Sequence, residues 1–295
     1  MAADQRPASE RFVLYRYDPS KVAATIFVCL FGIATVIHIW QSYRLRARFM
    51  IPFIIGGLFE TVGYIGRIIS SNDKLALSPY IMQTLLLLLA PALFAASIYM
   101  ILGRIILLTD GERYSIIRQR WLTKIFVVGD VLSFLMQSAG GAIMSGADGD
   151  ADKRKLGENV ILGGLFVQIF FFGFFVVVAF IFQIRGRPHL AHLSPSLPWA
   201  KHIYVLYSTS TLILVRSVFR VVEYIQGNDG YLLRNEVFLY IFDAILMLAV
   251  MVIMNVVHPG DIARLLKEKN APGSVVELTR DNSSERKRNA SNPYV

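Results

Sequence analysis

The sequence predicts an all-α, polytopic membrane protein, organised as a bundle of seven transmembrane helices. Of the 295 residues, 55% are hydrophobic and 17% are charged, whereas about a quarter of the residues in an ordinary soluble domain are charged. Seven apolar stretches of membrane-spanning length follow one another between Lys21 and His258. They are continuous, unlike the short alternating strands of a β-barrel.

The basic residues predict the orientation of the bundle. The formal net charge is +9, and 18 Lys and Arg residues fall in the loops and tail that follow the odd-numbered spans, against 9 on the other side. Because basic loops stay in the cytoplasm, we expect the amino terminus outside and the carboxyl terminus in the cytoplasm. The positive charge then reflects topology and contact with anionic lipid headgroups, and nucleic acid is not expected as a partner.

The chain is predicted to have an extracellular segment at 1–20, a seven-helix transmembrane domain at 21–262 and a disordered cytoplasmic tail at 263–295. The tail is polar and of mixed charge, which is typical of disorder. The predicted spans, numbered 1 to 7, cover 21–43, 48–70, 79–108, 122–145, 158–184, 202–226 and 234–257. Between spans 5 and 6, the proline-containing stretch 185–199 predicts a cytoplasmic loop.

The first three spans carry few polar groups. His38 in span 1 is interpreted as a packing residue near the cytoplasmic surface. In span 2, Glu60 and Arg67 are seven residues apart and share one helix face, either as a structural ion pair or as part of a substrate site. Pro91 in span 3 leaves a backbone carbonyl without its donor and predicts a kink, which is either a hinge or a fixed packing feature.

Spans 4 and 5 each bring amide or carboxyl groups into the apolar region. Asp130 and Gln137 lie at i and i+7 of span 4, and Gln168 is the one strong polar group of span 5. All three are expected to point inward, because a polar group that faces lipid has no hydrogen-bond partner. The aromatic run around Phe170 to Phe175 predicts lipid-facing and packing surface.

Spans 6 and 7 contain strong charges at helical spacing. Arg216, Arg220 and Glu223 share a face at i, i+4 and i+7, and Glu236, Tyr240 and Asp243 repeat this spacing. An ionised side chain at the bilayer centre costs roughly 2.5 to 3.5 kcal/mol on insertion scales. These charges must therefore pair with one another or line a wet cavity.

Helix spacing and topology together predict one polar cluster between spans 2, 6 and 7, with one net negative charge. Such a cluster suits an amphiphile with a cationic or zwitterionic head group, and a purely structural network is the alternative. The candidate substrate-binding or transport residues are Glu60, Arg67, Asp130, Gln137, Gln168, Arg216, Arg220, Glu223, Glu236, Tyr240 and Asp243. No catalytic residue, metal site or cofactor is expected.

Six segments resemble the motifs of a known family. They are ETVGYIGR at 60–67, LAPALFAASIYM at 89–100, GDVLSFLMQSAGG at 129–141, GGLFVQ at 163–168, RSVFRVVEYIQGNDGYLLRNEVFLYIFDAILM at 216–247 and HPGD at 258–261. Together they resemble the fungal RTA-like family of lipid-translocating exporters, over about Phe12 to Asp261. The resemblance implies a seven-helix protein of the plasma membrane, or alternatively of an internal membrane. It also implies a link to sphingoid long-chain base release, resistance to sterol analogues and other toxic amphiphiles, or porphyrin handling.

The leading functional hypothesis is a transporter that moves or exports amphipathic lipids, such as sphingoid long-chain bases, or toxic lipid-like compounds. The second is a seven-helix receptor or stress sensor for lipid-like ligands. An intramembrane lipid hydrolase is the third, but a metal-dependent one would need more ligands than His38 and His258 supply, so an enzyme is not expected. Membrane lipids and an amphipathic small molecule are the expected partners, and a homo-oligomer is left open.

The energy source is also constrained by the sequence. The chain contains no GxxxxGK[ST] motif, so direct ATP coupling within it is not expected. Transport would then be downhill, coupled to an ion or regulated by a partner. If protons are coupled, Glu60, Asp130 and Asp243 are the buried carboxyl groups that would carry them.

Overall fold

The computed structural model describes residues 19–72, 77–146, 150–193, 199–226 and 231–269. A π-helical segment, Tyr240–Ile245, joins two of the helices in the last span. The helices are α1 Lys21–Arg44, α2 Ile51–Asn72, α3 Leu77–Leu108, α4 Gln119–Ser145, α5 Ala151–Leu193, α6 Trp199–Gln226, α7 Tyr231–Arg234, α8 Glu236–Leu239, α9 Leu246–Val256 and α10 Gly260–Lys269.

The predicted seven-span helical fold is confirmed. Seven helical stretches of the described chain are long and apolar enough to cross a membrane. Large apolar side chains cover the outside of the bundle, as Val22 at 72% exposed, Val36 at 65% and Phe170 at 68% illustrate. Phe172 and Phe175, from the same aromatic run as Phe170, are buried. The run therefore serves both as lipid-facing and as packing surface, as predicted.

Helices that are adjacent in the chain pack against each other from α1 through to α6, and α9 packs against both α1 and α6. This arrangement brings the first and last spans together. α3 also contacts α6 and is the most buried of the seven spans. Polar groups on α2, α6 and the last span can therefore meet beside α3.

α5 is longer than predicted at both ends. It begins at Ala151 because the side chain of Asp150 accepts hydrogen bonds from the backbone N–H groups of Asp152, at 3.0 Å, and Lys153, at 3.3 Å. The bond from Lys153, with that from Asp152, lowers the pKa of the Asp150 carboxyl. At the other end α5 continues through Pro188 to Leu193, so the predicted loop at 185–199 is wrong for 185–193 and for Trp199, which begins α6, and 194–198 lie outside the described residues.

The carboxyl-terminal part of α5 is hydrogen-bonded to the end of α3. Nε2 of His189 lies 2.7 Å from the backbone carbonyl oxygen of Thr109, just after the end of α3. A proline inside a helix removes one intrahelical hydrogen bond but does not prevent the helix from continuing where neighbouring groups hold it. The tertiary contact explains why Pro188 does not end the helix.

The seventh span is not the continuous α-helix that the apolar pattern predicts. Its residues form α8, the π-helical segment and α9, and Asn235 with φ −116° and ψ 109° separates α8 from α7. A π-helical turn contains an additional residue and changes the direction in which the following side chains point. Tyr240 and Asp243, two of the predicted site residues, lie in this segment.

The chain also remains helical beyond the predicted end of the transmembrane domain. α10 contains residues 263–269, for which disorder was predicted, whereas 270–295 lie outside the described residues, as do 1–18. Ile262 is fully buried, and Nζ of Lys269 donates to the carbonyl oxygen of Leu108 at 3.1 Å. A cation at the carboxyl end of α3 is favourable there because it faces unpaired carbonyl groups.

The contact between α4 and α5 depends on glycine. A Cβ atom at Gly140 would lie 2.6 Å from the carbonyl oxygen of Gly157, whereas a Cβ atom at Gly141 would have no heavy atom within 4 Å. Small residues at such positions allow two helix backbones to approach closely.

We predict that Gly140→Ala lowers the thermal unfolding midpoint of the detergent-solubilised protein. The added methyl overpacks the contact and should cost about 1–3 kcal/mol. Gly141→Ala is the matched control, and it should leave the midpoint unchanged or raise it slightly, because alanine stabilises a helix by about 0.5–1 kcal/mol over glycine. Equal midpoints for the two variants would contradict this packing.

Candidate functional site

Three arginine–carboxylate pairs lie among α2, α6 and the seventh span. Their side chains are between 2% and 13% exposed. We call them, together with Glu60, the ion-pair cluster. The pairs are Arg67 with Glu236, Arg216 with Asp243, and Arg220 with Glu223.

The pair nearest the predicted outer surface joins three parts of the fold. Nη2 of Arg67 lies 2.7 Å from Oε1 of Glu236, and Nε of Arg67 donates to the hydroxyl of Tyr240 at 3.3 Å. The backbone N–H of Ser20, at the start of α1, donates to Oε2 of Glu236 at 2.9 Å. The carboxylate of Glu236 therefore holds the ends of α1 and α2 against the seventh span.

The pair between Arg216 and Asp243 is the most deeply buried, and it also involves α3. Arg216 is 2% exposed, and its Nε donates to Oδ1 of Asp243. Its Nη2 donates to the backbone carbonyl oxygen of Leu87 at 3.0 Å. That carbonyl lies four residues before Pro91, which has no N–H to donate to it. Arg216 thus satisfies the group that Pro91 leaves without a donor.

The third pair is local to α6. Nη1 of Arg220 lies 2.7 Å from Oε2 of Glu223, at a spacing of i and i+3. The guanidinium group of Arg220 also lies over the ring of Tyr224, with 5.7 Å to its centroid. This pair neutralises two buried charges without joining separate helices.

Glu60 is the carboxylate that remains without a cation of its own. It is 2% exposed, and within the described chain neither a hydrogen bond nor an ion pair reaches it. It interacts electrostatically with Arg216 and with the like charge of Asp243. Counted by formal charge, the carboxyl group of the cluster in excess of its cations is therefore Glu60.

The alternative of a direct ion pair between Glu60 and Arg67 is not what the structure shows, since Arg67 pairs with Glu236. Seven helical residues place two side chains on one face but separate them by about 10 Å along the axis. The spacing predicted the shared face and could not predict the partner.

The structure also separates three predicted site residues from the ion-pair cluster. Asp130, Gln137 and Gln168 are at most 8% exposed, which confirms that they face inward; Gln137 and Gln168 meet between α4 and α5, and Asp130 lies beside Tyr99 of α3. Nε2 of Gln137 donates to Oγ of Ser133 at 2.7 Å and to Oε1 of Gln168 at 3.2 Å. We call Asp130, Ser133, Gln137 and Gln168 the α4–α5 polar line. Sequence reasoning missed Ser133, although it lies one turn after Asp130.

Aromatic side chains lie beside the outer pair, and sequence reasoning did not identify them. Tyr64 is fully buried on α2, and its ring centroid lies 5.6 Å from those of Phe27 and Phe31 on α1. Phe27 stacks on Tyr240, with 5.2 Å between centroids. Tyr64 lies one turn after Glu60, so the available signal was its place on the face shared with Arg67.

An open apolar depression of about 470 Å³ lies on the surface of α1 near its amino end. It begins one residue after Ser20, whose backbone N–H binds Glu236. Its lining residues are Lys21, Val22, Thr25, Ile26, Cys29 and Leu30. An apolar surface thus lies next to the outermost charged pair of the bundle.

Removing one member of the pair between Arg216 and Asp243 should strongly destabilise the protein. We expect Arg216→Met and Asp243→Asn each to cost about 3–5 kcal/mol of unfolding free energy, because each leaves a buried charge without its partner. The double variant should lose less than the sum of the two.

The exposed pair between Arg264 and Asp261, at 4.0 Å, is the control. Arg264→Met should cost about 1 kcal/mol or less. Additive losses at Arg216 and Asp243 in thermal or denaturant unfolding would mean that the two side chains are not coupled.

Comparisons with known proteins agree with this architecture. The family described as "RTA1 like protein" matches residues 53–265. "Protoporphyrin uptake protein 1" of Saccharomyces cerevisiae is 41% identical, over 87% of this chain and 96% of the relative. "Probable lipid transporter atnI" of Emericella nidulans is 30% identical, over 84% of this chain and 68% of the relative.

A more distant relative is "Sphingoid long-chain base transporter RSB1" of Saccharomyces cerevisiae, which is 26% identical over 79% of this chain and 70% of its own length. No solved structure matches the chain. The family matches the larger part of the chain and includes most of the buried polar residues described above. The resemblance seen in six sequence segments is confirmed, and this chain belongs to the RTA1-like family.

Proposed function

We propose that this protein is a transporter, and not an enzyme, which moves amphipathic lipids with a cationic head group across the bilayer of the plasma membrane. Sphingoid long-chain bases, with an amino head group and one long apolar chain, are the substrate class that we infer. One observation carries the proposal: Glu60 is a buried carboxyl group in the ion-pair cluster, and no cation of the described residues forms an ion pair with it.

The charge balance of the cluster selects the head group. Among the described residues, Arg67, Arg216 and Arg220 each lie at ion-pair distance from a carboxylate, and Glu60 is a fourth carboxyl group that forms no such pair. A buried carboxylate without a partner is strongly disfavoured in an apolar medium. A ligand ammonium group that binds Glu60 would remove this penalty, and an anionic head group would increase it.

The surroundings of the cluster are apolar, with buried aromatic side chains on α1 and α2 and an open depression on α1. Phe27, Phe31 and Tyr64 line the boundary between α1 and α2 on the outer side of Glu60. The apolar depression on α1 lies close to the outermost pair. Ligand sites typically combine an apolar lining with a few placed polar groups. Here the ion-pair cluster would take the head group, and the apolar residues of α1 and α2 would take the chain.

The π-helical segment provides a means of opening the cluster. It contains Tyr240, which binds Arg67, and Asp243, which binds Arg216. A change of this one segment towards regular α-helix would move both contacts together. π-helical turns occur frequently at functional sites, which supports a role in the passage of the head group.

Two of the relatives are named for lipid transport, one as a probable lipid transporter and the other as a sphingoid long-chain base transporter. The relative at 41% identity is named for protoporphyrin uptake instead. A receptor for similar ligands is the second candidate, and it is favoured by the same π-helical segment, because a bound ligand could shift that segment without crossing the membrane. Direct measurement of lipid movement separates the two candidates.

Purified protein in liposomes should accelerate the redistribution of a fluorescent long-chain amine between leaflets, relative to protein-free liposomes. An analogue with the same chain and an acetylated, uncharged nitrogen should show much less acceleration. A ligand that binds but is not moved any faster would favour the receptor, and no acceleration across a panel of cationic amphiphiles would refute the transporter.

Glu60→Gln should reduce the protein-dependent rate for the amine by about tenfold or more. A hydrogen bond to a charged group contributes about 1.5–3 kcal/mol, and about 1.4 kcal/mol corresponds to a factor of ten. Glu112→Gln makes the same chemical change at an exposed residue outside the spans, and it should retain the wild-type rate. A correctly folded Glu60→Gln protein with the wild-type rate would exclude Glu60 as the head-group site.

A further inference from the structure

Asp130 is a second buried carboxyl group without a cationic partner, and it lies far from any membrane surface. It is 5% exposed, and no described lysine, arginine or histidine forms an ion pair with it. Helix geometry places it about 16 Å from the start of α4 and about 22 Å from its end. The group is therefore near the middle of a span.

The neighbours of Asp130 are uncharged. From α3, the fully buried Tyr99 presents its hydroxyl group to the carboxyl group, and it is the titratable group that faces it. α5 contributes Gln168 to the α4–α5 polar line, and α4 contributes Ser133 and Gln137. Within the described chain, neither Oδ2 of Asp130 nor the hydroxyl oxygen of Tyr99 has a hydrogen-bond partner of normal geometry.

The packing around Asp130 leaves little space for an organic cation. The ring centroid of Tyr99 lies 4.5 Å from that of Phe175 and 5.3 Å from that of Phe126. A Cβ atom at Gly129, the residue before Asp130, would lie 2.3 Å from the ring of Phe171. A site this tightly packed can accept a proton but not an amphiphile head group.

An ionised carboxylate in this position would be unpaired in an apolar environment, which is strongly disfavoured. Neutralisation must come from a cation or from a proton, and the packing excludes a bulky cation. We propose that Asp130 is a membrane-embedded proton-carrying site, and that exchange of its proton drives lipid transport. The second part of this proposal rests on the proposed function, whereas the first part does not.

The α4–α5 polar line indicates the direction in which this proton leaves Asp130. Asp130, Ser133 and Gln137 lie at i, i+3 and i+7 on one face and extend over about 10 Å towards the end of α4. Oε1 of Gln137 has no hydrogen-bond partner within the described chain and can accept one. In the exchange, the O–H bond of the Asp130 acid breaks, the proton leaves along the α4–α5 polar line to water beyond the end of α4, and the remaining carboxylate takes up the next proton by the reverse route.

Infrared spectroscopy of the full chain in lipid nanodiscs tests the protonation state directly. In a Glu60→Gln background, which removes the other unpaired carboxyl group, the carboxylic-acid C=O band at neutral pH should disappear when Asp130→Asn is added. An identical acid band with and without Asp130 would overturn the proposal. Tyr99→Phe retains Asp130 and should shift the band to higher frequency through loss of the hydroxyl neighbour, and an unshifted band would also contradict it.

The coupling is tested in liposomes with a long-chain quaternary ammonium probe, whose own charge does not change with pH. The wild-type rate should depend on an imposed pH gradient, and for Asp130→Asn the ratio of rates with and without the gradient should fall to one. A wild-type rate that does not depend on the pH gradient would overturn the proposed coupling of transport to protons. An acid band without any transport would refute the proposed function alone, whereas transport without an acid band would refute the proton site alone.

Discussion

The requirement that charge inside the bilayer be neutralised determines the arrangement of this bundle. Water is not available at that depth, so each buried arginine must find a carboxylate or a backbone carbonyl. Arg216 finds both, because it binds Asp243 in the π-helical segment and the carbonyl of Leu87 on α3. One side chain therefore fixes α3, α6 and the seventh span relative to one another.

The same requirement applies to Glu60 and Asp130, the two buried carboxyl groups that form no ion pair within the described residues. Glu60 lies within reach of the charges of Arg216 and Asp243 and near aromatic and apolar surface on α1. Asp130 lies in a tightly packed contact between α3, α4 and α5, beside Tyr99. A cationic head group suits the first position and a proton suits the second, so substrate binding and energy coupling would be assigned to different helices. Two separate sites of this kind can be coupled only through movement of the helices between them.

Much of this arrangement could be predicted from the sequence, because apolar length defines spans and helical periodicity defines faces. The inward orientation of Asp130, Gln137 and Gln168 followed from these rules. The choice of partners did not, because periodicity cannot show which helix a face meets; hence Arg67 pairs with Glu236 rather than contacting Glu60.

Features that depend on tertiary contacts could not be predicted from the sequence either. α5 passes through Pro188 because its end is held against Thr109, and hydropathy does not contain that information. The π-helical segment at Tyr240–Ile245 has the same apolar pattern as an α-helix, so nothing in the residue spacing distinguishes it. The acceptor for Arg216 on α3 could have been suspected, since Pro91 indicates a carbonyl without a donor four residues earlier.

The central claim is that the unpaired charge of Glu60 receives the head group of a cationic amphiphile. A cryo-electron microscopy structure of the full chain in lipid nanodiscs, saturated with a long-chain amine, tests this most directly. Density for the amine nitrogen is expected within about 4 Å of the Glu60 carboxylate, with the chain extending along α1 and α2. Saturating amine bound elsewhere, with Glu60 still unpaired, would contradict it.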